Sequence, residues 1–219
     1  MEEKLSLSGY LYSLRFYILF IAILFIGSIA LGYLGFLSEI FSEPLEWIRQ
    51  LSENVKDFTQ LYPAWIIFLA FFIVLFLNNS FTCLFNATYP LSLILLIPFS
   101  VILVRIFSAN PMIILGVIFL PFFSPFINGG LLGWFAQEEG LLVFLAILPH
   151  GIFEIPAFLL SAAIGLKLGR EVLKRKGERH LKKELRNGLR VFFILVLPLL
   201  LIAALIESVL ITIGLLLAP

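Results

Sequence analysis

The chain alternates long apolar runs with short polar segments. A helix needs about 20 predominantly apolar residues to span the hydrocarbon core of a bilayer. Five runs approach or exceed that length, at residues 16–37, 63–85, 112–135, 141–166 and 191–217. A sixth run, at residues 90–104, is shorter, contains Pro98 and is followed by Arg105. The pattern predicts about five membrane-crossing helices.

A different pattern separates the first two runs. Residues 39–62 carry acidic and basic side chains, and their apolar residues recur every three or four positions. This spacing places the apolar side chains on one face of a helix. Ser42 is a suitable N-cap, and Pro44 is tolerated in a first helical turn. We therefore expect an external amphipathic helix at residues 39–62, on the outer side of the membrane.

The composition supports a membrane protein. Of the 219 residues, 61% are hydrophobic and 13% are charged, whereas soluble domains average about 45–50% and about 25%. The mean hydropathy is +1.09. Cys83 is the single cysteine, which excludes an intrachain disulfide and a multi-cysteine metal site. The sequence thus predicts one all-α integral membrane domain over residues 1–219, a polytopic helix bundle in contact with the lipid bilayer.

The charge distribution predicts the orientation of a multi-pass protein in the cell membrane. Residues 167–190 hold ten of the fifteen lysines and arginines and have a net charge of +7. The positive-inside rule makes this segment a basic cytoplasmic loop, where it can attract anionic lipid. No aromatic residues alternate with the basic ones, so we expect no nucleic-acid binding. Lys4 and Arg15 put the N-terminus in the cytoplasm. With the N-terminus and the basic loop both in the cytoplasm, the chain between them must cross the membrane an even number of times, yet five apolar runs lie there. We therefore expect the shortest run, residues 90–104, to be a re-entrant segment that enters the membrane and returns to the cytoplasmic side.

Several polar residues interrupt the apolar runs, and they are the candidate intramembrane polar site. His150 and Glu154 are four residues apart and share one helix face. Glu207 is a third ionisable residue inside a predicted span, where such groups are costly. Three amide side chains also lie inside predicted spans: Asn78, Asn79 and Asn128. His150 and Glu154 can hold a metal ion or a proton, can form a structural hydrogen-bonded pair, or can activate water for hydrolysis, with no catalytic residue assigned.

Beside this pair runs a stripe of small residues at every fourth position: Ala157, Ser161, Gly165 and Gly169. Small residues at this spacing let membrane helices approach closely. We expect this helix-packing seam, or the adjacent face at Gly129 and Gly133, to lie near the two-fold axis of a homodimer. The alternative is that the seam packs against the last span of the same chain.

The sequence Pro149-His150-Gly151-x-x-Glu154-x-Pro156, followed by the small-residue seam, resembles the stage II sporulation protein M family of integral membrane proteins. Asn78-Asn79 and Asn128-Gly129 resemble two further motifs of that family, and the likeness covers residues 63–217. Here about fifty residues separate the two asparagine motifs, a longer interval than in the family. The resemblance implies a non-enzymatic membrane scaffold that assembles with itself and with other membrane proteins, as family members do in spore engulfment. A small transporter or channel that uses the His/Glu site is the second hypothesis, and an intramembrane hydrolase is the third.

Overall fold

The computed structural model describes residues 6–36, 38, 61–107, 110–174 and 180–217, without the side chains of residues 92–123, 141–144, 146 and 173. The described residues form helices and contain no strand. In chain order the helices are α1 (Leu7–Tyr33), α2 (Ala64–Phe107), α3 (Asn110–Glu138), α4 (Leu141–Leu173), α5 (Leu181–Val191), a π-helical turn (Phe192–Val196) and α6 (Leu197–Leu217). The predicted all-α helix bundle is confirmed.

Four helical segments in the described part of the chain are long and apolar enough to cross a membrane: Leu7–Tyr33, Ala64–Leu91, Ile147–Val172 and Leu181–Leu217. They correspond to four of the five predicted spans. The fifth predicted span, 112–135, falls on α3, whose side chains are described only from residue 124. The predicted amphipathic helix at 39–62 lies outside the described residues except at its last two positions.

Helix α1 is capped at both ends by local hydrogen bonds. At its start, the hydroxyl of Ser6 accepts a hydrogen bond from the backbone N–H of Gly9 at 3.1 Å. At its end, Gly35 has a positive φ of 77°, and the N–H of Phe36 donates to the carbonyl of Leu31. This left-handed glycine closes the helix in the way that C-terminal helix caps favour.

Helix α1 packs closely against α3. A Cβ at Gly133 would meet the backbone of Ile29, and a Cβ at Gly129 would meet Phe25 and Ser28. The two helices therefore touch backbone to backbone, so the Gly129–Gly133 face is covered by α1 of the same chain.

Helix α2 is continuous where the sequence analysis separated two apolar runs. Its backbone is helical from Ala64 to Phe107, through both Pro90 and Pro98. Prolines are tolerated in membrane helices when neighbouring groups satisfy the freed carbonyls. The gap expected before residue 90 is therefore absent, while the re-entrant course of residues 90–104 stays a prediction.

Helix α4 lies at the centre of the bundle and packs against α1, α2, α3, α5 and α6. All four residues of the seam are buried. A Cβ at Gly165 would overlap the backbone carbonyl oxygen of Asn86 on α2. Ala157 lies in a buried cluster with Cys83 of α2 and Leu200 of α6. The seam thus packs inside the chain, against α2 as well as the last span. The homodimer itself stays a prediction.

The last span begins in the amphipathic helix α5 and passes through a π-helical turn at Phe192–Val196. The N–H of Leu197 donates to the carbonyl of Phe192, five residues earlier. Pro198 follows, and its ring would clash with the carbonyl of Ile194 in a regular α-helix. Proline therefore accounts for the wider turn, which shifts the helix by one residue before α6 begins.

The segment predicted as a basic loop, residues 167–190, is helical at both ends. One of its lysines, Lys167, contacts both α1 and α5 from α4. Lys167 of α4 forms an ion pair with Glu184 of α5 at 3.1 Å, with side chains only 14% and 15% exposed. The Lys167 ammonium also donates to the Ser13 hydroxyl of α1 at 2.7 Å and lies 4.1 Å from the centroid of the Tyr10 ring. Lys167 is thus part of a largely buried contact between helices and is not a solvated loop residue.

Candidate functional site

A cavity of about 510 Å³ opens among α1, α2, α3, α4 and α6. Its walls are largely apolar and include Phe25, Phe135 and Phe158. Five of the six residues of the predicted polar site line it: Asn78 and Asn79 from α2, Asn128 from α3, Glu154 from α4 and Glu207 from α6. A mostly apolar pocket with a few convergent polar groups is the usual form of a small-ligand site.

The sixth predicted residue, His150, joins the two carboxylates at this cavity. One ligand atom from each of His150, Glu154 and Glu207 lies within 4.8 Å of the other two. His150 and Glu154 meet because four residues on α4 make about one helical turn. Glu207 comes from α6, which packs beside α4. The meeting of Glu207 with the His150 face, left open by the sequence, is therefore present in the structure.

The three ionisable side chains have no protein partners among the described residues. The ion pairs in the described part of the chain join Lys167 to Glu184 and Lys174 to Glu171, and neither involves Glu154 or Glu207. The Nδ1 atom of His150 is buried and has no hydrogen-bond partner there. Two carboxylates at close range in a low-dielectric region repel each other unless a proton or another cation lies between them. The arrangement can bind a cation.

The three asparagine amides line the same cavity as the two carboxylates. The Asn78 amide donates to the side-chain oxygen of Asn79 at 3.3 Å, and the Asn128 amide donates to the Ser124 carbonyl at 2.8 Å. Asn78 and Asn128 are exposed and line the cavity. Their remaining donors and acceptors can bind a polar ligand or its hydration water.

The polar residues of the site share one depth in the bundle. At 1.5 Å per residue, Asn128, Glu154 and Glu207 each lie about 15–20 Å along the axis from one end of their helices. Those ends are Glu138, Leu141 and Leu217, on the side opposite the Lys167–Glu184 pair. Under the predicted orientation, the cavity lies toward the outer side of the membrane.

Two cavity residues were missed by the sequence analysis as site residues. Thr82 and Cys83 line the cavity and lie four residues after Asn78 and Asn79. That spacing repeats a helix face and could have indicated them. The seam residues, in contrast, do not line the cavity and are covered by neighbouring helices.

The motif around the pair is part of an unbroken helix. Pro149 and Pro156 both lie inside α4, and both are exposed. Each proline removes one backbone N–H from the helix. The prolines therefore occupy the outer surface of α4, while Gly151 and Glu154 line the cavity.

Comparison with known proteins identifies the family. No curated protein and no solved structure matches the chain. A family model described as Stage II sporulation protein M matches residues 16–211. The match starts earlier than the likeness noted from the motifs, which began at residue 63, and it includes most of α1 and all residues of the candidate site. The chain is therefore an integral membrane protein that belongs to the stage II sporulation protein M family.

Proposed function

We propose that this protein binds a small cation in the cavity between its membrane helices, at His150, Glu154 and Glu207. The observation that carries the proposal is the convergence of one imidazole and two carboxylates within 4.8 Å, without a basic side chain beside them in the described part of the chain. A bound cation would offset the repulsion between the carboxylates in a region where water is scarce.

A purely structural role for the pair has less support. In that role His150 and Glu154 would hydrogen-bond neighbouring helices, yet the buried Nδ1 of His150 has no partner among the described residues. Glu154 and Glu207 face a cavity instead of a packed interface. Hydrolysis would use Glu154 to activate water with His150, and Glu207 is the further ionisable residue that clusters with this pair. The transporter or channel class, among the functions considered from the sequence, fits this site best.

The scaffold role implied by the family resemblance is compatible with a cation site but does not require one. In a scaffold, the cavity carboxylates serve folding alone, and the outer surfaces of the helices carry the function. The two roles therefore differ in what a carboxylate-to-amide substitution does, because glutamine keeps the size and hydrogen bonding of glutamate but loses its charge.

The test is cation-dependent stability of the purified protein in detergent. A cation that binds only the folded state at 100 times its dissociation constant adds about 2.7 kcal/mol to the free energy of unfolding. We expect one or more cations from a panel of protons and mono- and divalent metals to raise the melting temperature in a saturable way. Glu154→Gln and Glu207→Gln should each abolish that rise while the protein stays folded.

The matched control is Glu138→Gln, which changes an exposed carboxylate at the end of α3 that does not line the cavity. It should keep the full response to the cation. If no cation stabilises the wild type, or if the cavity variants respond as the control does, the proposed cation site is wrong and the scaffold reading gains support.

A further inference from the structure

We infer that the cation is a divalent transition-metal ion of the Mn²⁺ to Zn²⁺ group, held by His150 and Glu154 from α4 and by Glu207 from α6. This inference rests on the cation binding proposed above and specifies its chemistry. The first support is geometric. Ligands at about 2.0–2.2 Å from one metal lie roughly 3–3.5 Å from each other, and the three ligand atoms here already lie within 4.8 Å of one another. Small side-chain rotations would bring them to one ion.

The second support is the charge of the donor set. A neutral imidazole with two ionised carboxylates carries two negative charges, which a divalent cation neutralises. A monovalent cation would leave one uncompensated negative charge in the membrane interior, and such charges are costly there. Charge balance at this depth therefore favours a 2+ ion.

The third support is the nature of the donor atoms. Carboxylate oxygens alone would suit magnesium or calcium, whereas imidazole nitrogen suits zinc, iron, nickel and copper. A mixed set of one nitrogen and two oxygens favours the borderline divalent metals. The buried Nδ1 of His150, which has no hydrogen-bond partner in the described part of the chain, leaves the imidazole available as a ligand.

The fourth support is the open side of the cluster. Three protein ligands leave at least one coordination position of a divalent metal unfilled, as in sites that also hold water or a small ligand. Glu154 and Glu207 both line the cavity, so that position faces its interior. The amides of Asn78 and Asn128 lie around the same space and can hydrogen-bond a water or an oxygen ligand on the metal. The site would thus take a metal that keeps part of its hydration.

The test uses Co²⁺ alone as the probe, added to the purified full-length protein after removal of any affinity tag. We expect one Co²⁺ per chain, visible absorption bands of bound cobalt, and an X-ray absorption spectrum with imidazole scattering and oxygen donors. Glu207→Gln should lower the Co²⁺ affinity by at least about 100-fold, since even outer-shell changes cost 10–100-fold. His150→Gln should remove the imidazole signal, and Glu138→Gln should change neither.

The wild-type spectrum keeps the inference testable even if a variant fails to fold. Bound cobalt without imidazole scattering would overturn the donor set. An intense thiolate-to-cobalt band would also overturn it, because it would identify Cys83, which lines the same cavity, as a ligand. Stabilisation by protons or sodium without Co²⁺ binding would refute the metal while leaving the proposed cation site standing. A wild type that responds to no cation would refute both.

Discussion

The close approach of α4 to α2 at Gly165 makes Gly165→Ala the most informative stability test. A Cβ at Gly165 would lie 3.1 Å from the carbonyl carbon of Asn86 and would overlap its oxygen. Both colliding groups belong to helices, the alanine Cβ to one and a backbone carbonyl to the other, so no side-chain rotation removes the overlap. The two helices would have to move apart by about 1 Å, a gap that forfeits a quarter to a half of each van der Waals contact across it.

The magnitude follows from two opposing effects. Overpacking a well-packed interior costs typically about 1–3 kcal/mol, and rigid backbone on both sides places Gly165 at the upper end. Alanine is a better helix former than glycine by about 1 kcal/mol. The expected net loss is about 2 kcal/mol of the free energy of unfolding. For a chain of this length that corresponds to a melting temperature about 5 °C lower.

The assay is thermal unfolding in detergent followed by far-ultraviolet circular dichroism, with Gly214→Ala as the matched control. Gly214 lies in α6 with nothing within 4 Å of its added Cβ, so its substitution should leave stability unchanged or slightly raised. If Gly165→Ala is as stable as Gly214→Ala, the contact between α4 and α2 is wrong. If it keeps its stability but reduces the detergent-corrected mass from two chains to one, Gly165 lies at a dimer interface instead.

Two further predictions concern the ends of the bundle. Lys167→Met should lower the free energy of unfolding by about 3 kcal/mol, because it leaves the largely buried Glu184 carboxylate without its cation. Adding Glu184→Gln should recover part of that loss. Equal stability of the single and double variants in thermal unfolding would contradict the pairing. In membrane vesicles, cysteines introduced at Lys183 and Arg105 should be labelled from the cytoplasmic side and one at Glu139 from outside, and labelling of the Arg105 position from outside would contradict the re-entrant segment.

Two of the three clustered ionisable residues could be predicted from spacing along a single helix. His150 and Glu154 share a face because they are four residues apart, and the cost of ionisable groups in membranes singled out Glu207. The face that Glu207 presents to α4 could not be counted from the sequence, because the π-helical turn at Phe192–Val196 shifts the helix before it. Periodicity assumes a constant number of residues per turn, and this helix does not keep one.

The helices that pack against the small-residue faces were harder to predict from the sequence. A stripe such as Ala157 to Gly169 indicates that a helix approaches closely, but any helix can satisfy it. The choice of α2 depends on the backbone of Asn86 meeting Gly165, which no residue spacing encodes. Pro90 and Pro98 suggested an interruption in α2, yet membrane helices keep their course through proline when neighbours satisfy the freed carbonyls.

The packing of Glu207 beside α4 limits how the last span can change its length beyond the π-helical turn during evolution. Each residue added or lost rotates the helix beyond it by about 100° and shifts it by about 1.5 Å. A single deletion in α6 between Leu197 and Glu207 would turn that carboxylate away from α4, although every apolar residue would remain apolar. Paired changes, one deletion balanced by one insertion before Glu207, would preserve its direction. Homologous chains that keep the carboxylate should therefore vary freely in residue identity along this stretch while holding the distance between these two positions constant.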